Sequence, residues 1–414
     1  MIAKMRNKKR LSTKIFILPL MVFFSSVLFA TAQDTIVIKA GKALKGDGKT
    51  LENVLIVIKE GKIEFIGKDY RIQKGTDILE FKESVITPGF IAANAHLNVT
   101  KQTNEEQSEI TPELNLLYSI NPRAEDFEKA WRSGVTCVFL APGDLNVFNG
   151  TGTVLKTVGR TPQDMLVKNQ VHLRVTLGRE PGRGNSPPRL GPISLRTRRP
   201  QNRMGVIFVV RNEFTKLQNK SDVSDSELSP EEFLLRKALK GEMPLRIRAR
   251  SYVDIQSALR MMEEFGYKWI LEDGVDAYRY LDELKENKIP VIYGPVYRPK
   301  GRVDFNREND FYLAKTPILL AEKGILFAFQ NNDESPINSL RDEVIYAVQL
   351  GLAKDMALRA LTLNAAAILG VEDRVGMIEA GKDADMLIFD GDPFEPSSRL
   401  ERVIISGKVL NPNK

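Results

Sequence analysis

The stretch from Val85 to Val99, VITPGFIAANAHLNV, constrains the fold of this chain more than any other. It has a run of β-forming residues, then Pro88-Gly89, then a second apolar run that ends in polar residues, among them His96. His96 is one of only 2 histidines in the 414 residues. A (β/α)8 barrel carries its active site at the carboxyl ends of its strands. We therefore predict that this stretch forms the first strand of such a barrel and that its polar end lies in a functional site.

The segment 88–374 alternates strand patterns with helix patterns. Strands are predicted at GVTCVFLAP, LRVTLG, PLRIRAR, YKWILE, IPVIYG and ILFAF, and helix patterns separate most of them. One helix is predicted to begin at Ser229-Pro230-Glu231-Glu232, which supplies an N-cap, a proline at the first position and a capping glutamate. Such alternation indicates a parallel sheet with right-handed crossovers. The predicted fold class is α/β, a (β/α)8 TIM-like barrel over residues 88–374.

The segments on either side of residues 88–374 have a β-rich sequence pattern without the alternating helices. Residues 33–87 and 375–414 contain short β-rich runs separated by glycine-containing turns, which is typical of antiparallel sheets. The two segments share this style, so we predict that they form one composite β-sandwich domain.

Residues 1–32 have the organisation of a secretory signal peptide. Lysines and arginines that carry six of the +7 net charges come first, an apolar run follows from Ile15 to Ala30, and Ala30-Thr31-Ala32 would suit a signal peptidase. We expect cleavage before Gln33, export to the periplasm or the cell exterior, and no membrane span after cleavage. The rest of the chain is nearly neutral, so its charge gives no reason to expect a nucleic-acid partner. The single cysteine, Cys137, excludes a disulfide framework and is expected to be buried in a strand.

The segment 179–203 is rich in proline, glycine and arginine and is long for a connection inside a barrel. A lid over the site, a partner surface and an ordinary solvated loop are all compatible with this composition. Its arginines would suit an anionic ligand.

The C-terminal run TLNAAAILGVEDRVGMIEAGKDADMLIFDGDPF, the closing VIISGKVL and the earlier PGFIAANAH resemble the amidohydrolase superfamily, in particular its imidazolonepropionase-like branch. The resemblance extends over nearly all of the chain after residue 33. It implies metal-assisted hydrolysis of non-peptide C–N bonds or small peptides, in which zinc or another divalent ion activates water and a strand-end aspartate takes a proton. Asp383 and Asp385 in the C-terminal run are expected to be turn and cap residues rather than catalytic ones.

This chain departs from that family at the positions that should bind the metal. The first strand has a single histidine, and the later positions hold a guanidinium, a carboxylate and an amide. The residues concerned are Asn94 and His96, then Arg248 in place of a histidine, Asp273 in place of another, and Asn332 in place of the catalytic aspartate, with Asp333 directly behind it. An amide oxygen is a weak ligand for zinc and a guanidinium offers no lone pair. We therefore expect a degenerate metal site without a bound cofactor.

Three functions are compatible with these substitutions. The first is an exported pseudoenzyme that binds a small-molecule ligand or assembles, as a homo- or hetero-oligomer, with an active amidohydrolase paralogue. The second is a working hydrolase with a reduced or metal-free site built from His96, Asp273 and Asp333. The third is an anion-binding barrel that uses Arg248, Arg250 and the loop 179–203.

The substitutions also suggest what replaces the metal ion. We expect Arg248, together with Arg250, to pair with Asp273 and Asp333 where the ion would stand, in a buried arrangement that needs good hydrogen bonding. The second histidine, His172, matches no ligand position and is expected to be a partly exposed residue at the start of a strand.

Overall fold

The structure is a computed structural model that describes residues 35–98, 103–105, 107–184, 199–297, 313–331 and 336–414. The predicted signal peptide and the predicted site residues Asn332 and Asp333 lie outside these ranges. The strands are β1 (Thr35–Leu44), β2 (Thr50–Lys59), β3 (Lys62–Gly67), β4 (Asp77–Pro88), β5 (Phe90–Ala92), β6 (Val135–Leu140), β7 (Phe148–Thr151), β8 (Thr153–Lys156), β9 (Leu166–Lys168), β10 (Leu173–Thr176), β11 (Leu245–Arg248), β12 (Trp269–Glu272), β13 (Val291–Tyr293), β14 (Phe327–Phe329), β15 (Met386–Phe389), β16 (Leu400–Ile405) and β17 (Lys408–Leu410).

The helices fall mostly between the strands of the central segment. They are α1 (Glu125–Arg132), α2 (Pro162–Met165), α3 (Glu180–Gly184), α4 (Arg203–Gln218), α5 (Pro230–Leu239), α6 (Tyr252–Phe265), α7 (Leu281–Glu286), α8 (Thr316–Lys323), α9 (Leu340–Gln349), α10 (Lys354–Leu361) and α11 (Leu363–Leu369). Helix α5 has the predicted capping box, in which the Ser229 side chain accepts from the Glu232 N–H. Within the described part of the chain, no helix is both long and apolar enough to cross a membrane.

Strands from the two ends of the chain share one sheet. Its seven strands have the order β17-β16-β15-β4-β1-β2-β3, and β4 pairs with β1 on one side and with β15 on the other. The prediction that both ends build one β-unit is therefore confirmed. The described strands of this unit join edge to edge in one seven-stranded sheet, in which β4 offers one edge to each end of the chain. Lys62 of β3 also bridges Asp383, just before β15, so the β3 side of the sheet returns to the C-terminal segment. The sandwich packing stays a prediction. All of these elements lie in one unit, Asp34–Lys414, and the domain boundaries at 88 and 374 stay predictions.

The central segment forms a parallel sheet, as the alternation of strands and helices predicts. Strands β10 to β14 are adjacent, parallel and in chain order, with β7 at the far edge. A second, four-stranded sheet has the order β5-β6-β8-β9. The two sheets meet where Ala93 N–H donates to Phe329 O at 3.0 Å and Asn331 N–H donates to Asn94 O at 3.2 Å. Strand β5 therefore lies beside β14.

The strand pairing differs from a ring of eight parallel strands. Strand β7 pairs antiparallel with β10, and β8 pairs antiparallel with β6. Strands β7 and β8 are separated by Gly152 alone, so one continuous stretch of chain pairs first with β10 in one sheet and then with β6 in the other.

The opening stretch is divided as its sequence predicts, with β4 ending at Pro88 and β5 beginning at Phe90. A Cβ at Gly89 would lie 2.1 Å from Thr136 Oγ1, so only glycine lets β5 pack this closely against β6. Buried residues of the central strands, including Ile91, Cys137 and Ile270, form an apolar cluster with α11. Cys137 is fully buried, which confirms the expectation for it.

Candidate functional site

A chain of polar contacts joins the carboxyl ends of four strands. Asn94 Nδ2 lies 3.3 Å from His96 Nε2 and donates to Gln330 Oε1 at 3.4 Å. Gln330 Nε2 donates in turn to Asp273 Oδ1 at 3.3 Å, and Asp273 Oδ2 lies 3.1 Å from Arg248 Nη2. We call these five residues the strand-end chain. It brings together four of the residues predicted for the site and adds Gln330, for which the sequence had suggested no role.

The ion pair expected between Arg248 and Asp273 is present, and further carboxylates surround it. Arg248 Nη1 lies 2.9 Å from Asp144 Oδ2 and 3.3 Å from Glu180 Oε1, and Arg250 Nη1 lies 3.5 Å from Asp273 Oδ2. Burial alone would lower the pKa of Arg248, but Asp144, Asp273 and Glu180 together raise it well above its usual value. Its guanidinium is therefore a permanent cation held by three carboxylates.

A second group of charged residues lies deeper between the strands. Glu272 accepts from Arg174 Nη2 through Oε1 and from Arg246 Nε through Oε2, and each of the three residues is at most 2% exposed. The remaining contacts go to the backbone, from Arg174 Nη1 to Pro142 O at 2.6 Å and from Arg246 Nη2 to Ala93 O at 2.7 Å. We call Arg174, Glu272 and Arg246 the buried triad.

Electrostatics keeps Glu272 and Arg246 of the buried triad charged. Burial favours the neutral form of Glu272, but the adjacent Arg174 and Arg246 outweigh it and lower the pKa of the carboxyl to about 2. Burial lowers the pKa of Arg246 to about 10, with Glu272 opposing that effect. The Arg246 guanidinium also lies 3.9 Å above the centroid of the Phe139 ring, a favourable cation–π position.

The arginines of the buried triad have a signal in the sequence, namely their alternation with apolar residues. In PLRIRAR the residues Arg246, Arg248 and Arg250 alternate with apolar ones, and side chains two apart on a strand share a face. Arg174 alternates in the same way with apolar neighbours in LRVT. The family resemblance marks only the strand-end positions and therefore does not indicate the arginines one layer deeper.

The expectation for His172 is wrong. It is only 3% exposed, because its ring lies inside the fold, 5.8 Å from the ring of Phe139. Burial lowers the pKa of His172 to about 3, and the charge of Arg246 adds to the effect. The imidazole is therefore neutral over the physiological pH range.

The described residues do not fit the divalent metal that the resemblance implies. The predicted remnant positions offer one imidazole from His96, one amide from Asn94 and one carboxylate from Asp273, which is already paired with Arg248. In the ranges that the structure describes, no three His, Cys, Asp or Glu side chains are grouped so that they could hold a metal ion. A cation at Asp273 would have to displace a guanidinium that cannot be deprotonated.

Asp383 and Asp385 lie in a buried ion-pair cluster and are not simple turn and cap residues. Lys156 Nζ lies 3.1 Å from Asp383 Oδ2 and contacts Asp385 Oδ2, and Arg374 Nη2 donates to Asp383 Oδ2 at 2.8 Å. Asp385 Oδ1 also accepts from the Ser406 N–H at 2.8 Å. The cluster joins β8 to the seven-stranded sheet, so a structural role is supported.

The segment 179–203 is described only at its ends. Glu180 in α3 contacts Arg248, and Arg203 begins α4 and pairs with Asp254 at 2.7 Å. Two of its charged residues are thus engaged with other elements. The prediction of a lid, partner surface or solvated loop falls mainly on residues 185–198, which lie outside the described ranges.

A cavity of about 570 Å³ opens beside the strand-end chain. Asn94, His96 and Arg174 contribute to its wall, together with apolar residues from the segments that follow β5, β6 and β14. Small-molecule sites in proteins have volumes of this order.

Comparisons with known proteins identify the family. The model for the amidohydrolase family matches residues 317–410. The solved structure of an amidohydrolase from Thermotoga maritima is 28% identical, with 91% of this chain and 99% of that chain covered and a TM-score of 0.80. This chain belongs to the amidohydrolase superfamily. The fold is accordingly of the TIM-barrel type, an α/β fold with a separate sheet.

Curated members of the amidohydrolase superfamily show more distant similarity. The amidohydrolase tasK of Hapsidospora irregularis is 23% identical over 370 residues, which cover 78% of this chain but only 36% of that protein. The imidazolonepropionase of Thermoanaerobacter pseudethanolicus is 23% identical over 376 residues, covering 82% of this chain and 84% of the relative.

Proposed function

We propose that this amidohydrolase-superfamily protein has lost metal-assisted hydrolysis and acts by binding a small molecule, by itself or as the partner of an active paralogue. The observation that carries the proposal is the Arg248–Asp273 ion pair, 3.1 Å long, at two positions where the family resemblance implies metal ligands. The protein thereby supplies its own cation where hydrolysis would need a metal ion.

The cost of opening this pair supports the loss of the metal. Asp273 is 2% exposed and its two oxygens already meet Arg248, Arg250 and Gln330. A metal ion that enters the site must break these contacts and leave Arg248 beside it as a like charge. Removing one partner of a buried ion pair costs roughly 3–5 kcal/mol. Coordination by the Asn94 amide, a weak metal ligand, would recover little of this free energy.

Metal analysis together with a hydrolysis screen tests the proposal. The chain from Gln33 onwards is purified, incubated with Zn²⁺, Mn²⁺ or Fe²⁺, freed of excess ion and measured by mass spectrometry. The screen uses imidazolone propionate, Xaa-Pro dipeptides and phenylureas, since similar proteins carry the names imidazolonepropionase, Xaa-Pro dipeptidase and phenylurea hydrolase. We expect well under one equivalent of metal and no turnover that depends on it.

Variants make the test specific for the ion pair. Arg248→Met should raise the affinity of the site for a divalent ion, because it removes the cation nearest to Asp273 and leaves only the longer contact with Arg250. Arg211→Met is the matched control, since Arg211 forms an exposed pair with Glu264. One tightly bound equivalent of metal in the wild-type protein with metal-dependent turnover would overturn the proposal. Metal-free turnover lost on His96→Ala would instead favour a reduced site of His96, Asp273 and Asp333.

Export is also a proposal, and it rests on the organisation of residues 1–32 as a signal peptide. Amino-terminal sequencing of the full chain after expression in a bacterial host tests it. A mature protein in the periplasm or medium that begins at Gln33 would support export, and an intact amino terminus in the cytoplasm would refute it.

A further inference from the structure

An exposed apolar patch lies at the amino-terminal ends of helices α4 and α6. Met204 and Phe208 of α4 are 78% and 66% exposed, although the opposite face of the same helix packs into the core. Tyr252 and Val253, in the first turn of α6, are 49% and 37% exposed. We call these four residues the helix-end patch.

Ion pairs show that α4 and α6 run side by side in the same direction. Arg203, at the start of α4, lies 2.7 Å from Asp254 near the start of α6. Further along both helices, Arg211 lies 2.7 Å from Glu264. The apolar residues of the two helices are therefore at the same end and form one surface.

The composition of the helix-end patch is that of a protein interface. Methionine, phenylalanine and tyrosine are enriched in the buried core of interfaces, whereas lysine is depleted. Tyr252 is also held in place, because the Arg279 guanidinium lies 5.4 Å from its ring centroid and Tyr280 Oη donates to Tyr252 O at 3.0 Å. A residue that is already ordered in the free protein loses less entropy when a partner binds.

The exposed area of the patch matches the apolar share of a standard interface. Taking roughly 200 Å² for a fully exposed side chain of this size, the exposed fractions of the four residues amount to roughly 450 Å². A standard interface buries about 800 Å² on each partner, and a little over half of that area is apolar. The patch thus supplies the apolar area that a stable dimer needs.

The charges beside the patch favour a second copy of this chain as the partner. Along the next turns of the two helices, Arg211 and Arg260 are balanced by Glu263 and Glu264, and all four are exposed. A strongly acidic or basic partner would gain nothing from such a neutral flank. A two-fold axis parallel to the helices would lay α4 of one copy on α6 of the other, so that Arg211 meets glutamates of the second copy. Charges at the rim of an interface set its orientation more than its affinity.

We propose that this protein forms a homodimer in which the helix-end patches of two copies pack together, α4 of each copy against α6 of the other. Met204 and Phe208 of one copy then meet Tyr252 and Val253 of the other. Each residue is used twice, as an interface on a two-fold axis requires. The inference goes beyond the proposed function and does not depend on it, because the helix-end patch shares no residue with the strand-end chain or the buried triad.

The molar mass in solution tests the dimer. The chain from Gln33 onwards is measured by sedimentation velocity over a wide range of protein concentration. We expect a dimer, and a dissociation constant at least tenfold higher for Phe208→Glu and for Met204→Glu. Tyr118→Glu is the matched control, since Tyr118 is 82% exposed on a different element and should leave the dimer unchanged.

Three results would overturn the homodimer. They are a wild-type protein that stays monomeric at every concentration, a dimer that Phe208→Glu does not weaken, and an equal effect of Tyr118→Glu. A monomer that binds only an amidohydrolase paralogue, and loses that binding on Phe208→Glu, would assign the patch to the paralogue instead.

A charge exchange tests the orientation of the two copies. In Arg211→Glu alone and in Glu264→Arg alone, like charges meet across the two-fold axis, so each variant should dimerise more weakly than the wild-type protein. When the two variants are mixed, opposite charges meet again and a mixed dimer should form. Both chains have lost the Arg211–Glu264 pair within one copy, so this recovery can come only from contacts between copies. A mixture that dimerises no better than either variant would refute the arrangement.

Discussion

Glu272 is the residue whose replacement most directly tests the electrostatic account of this site. It is fully buried and receives hydrogen bonds from both Arg174 and Arg246. Glu272→Gln keeps the shape of the side chain but removes the negative charge, so that two buried guanidinium groups face each other without compensation. We expect a large loss of stability from a change of very few atoms.

The magnitude follows from the pKa of the carboxyl. Its folded value of about 2 lies below the ordinary 4.5, a difference of between two and three pH units. At about 1.4 kcal/mol per unit this corresponds to roughly 3 kcal/mol of stability at neutral pH. Mutational data for breaking one side of a buried ion pair give a similar range, roughly 3–5 kcal/mol.

The pH dependence has a definite sign. Because the folded pKa is depressed, the contribution of Glu272 is fully present above pH 4.5 and is lost as the pH falls towards about 2. The difference in free energy of unfolding between the wild-type protein and Glu272→Gln should thus be constant from pH 8 to pH 5. It should shrink below pH 4.5.

Urea unfolding followed by tryptophan fluorescence measures the effect. Glu264→Gln is the matched control, since Glu264 forms an exposed pair with Arg211 and should change stability by less than about 1 kcal/mol. If Glu272→Gln costs no more than Glu264→Gln, the triad is not the strongly coupled group described here. Restoration of stability by the double variant Glu272→Gln/Arg246→Met would confirm that uncompensated charge causes the loss.

Three further predictions concern other buried groups. His172 has a pKa of about 3 in the folded protein, so only the unfolded chain takes up its proton as the pH falls from 6.5 towards 3. Over that range the free energy of unfolding should decrease by about 1.4 kcal/mol per pH unit. His172→Gln, compared by urea unfolding at several pH values, should remove this pH dependence. Burial raises the pKa of Cys137 to about 12, so its thiol should react with a disulfide reagent only after unfolding, and stoichiometric reaction of the native protein would contradict its burial. Lys156→Met should cost roughly 3–5 kcal/mol because it leaves buried Asp385 without its cation and Asp383 with Arg374 alone, whereas Lys216→Met, in an exposed pair, should be nearly neutral in the same unfolding assay.

The elements of this fold could be predicted from local patterns to a large extent. The strand patterns of the central segment correspond to β6 and β10 to β14, and Ser229 caps α5 as its sequence predicts. Alternating strands and helices also predicted the parallel order of β10 to β14 correctly. What local patterns did not predict was the antiparallel pairing of β7 and β8. Strand β7 pairs with β10 and β8 pairs with β6, and the sequence patterns around Phe148 and Thr153 did not reveal these partners.

The site, like the fold, has features that the sequence predicted and features that it did not. The resemblance identified Asn94, His96, Arg248 and Asp273, and these residues do lie together at the strand ends. The residues that they contact come from distant parts of the chain. Arg248, for example, pairs with Asp144 and Glu180, which no sequence spacing connects to it.

By itself the sequence determined the residue types at the strand ends, and therefore that an imidazole, an amide, a guanidinium and a carboxylate stand where a metal site would need imidazoles and carboxylates. The tertiary structure decided which charges meet. It buries two arginines against the single carboxylate of Glu272, leaves Arg174 Nε without an acceptor and buries His172 in its neutral form. The physical reason is that the pairing of buried charges depends on distances of a few ångströms between strands, and these distances follow from the fold and not from local sequence.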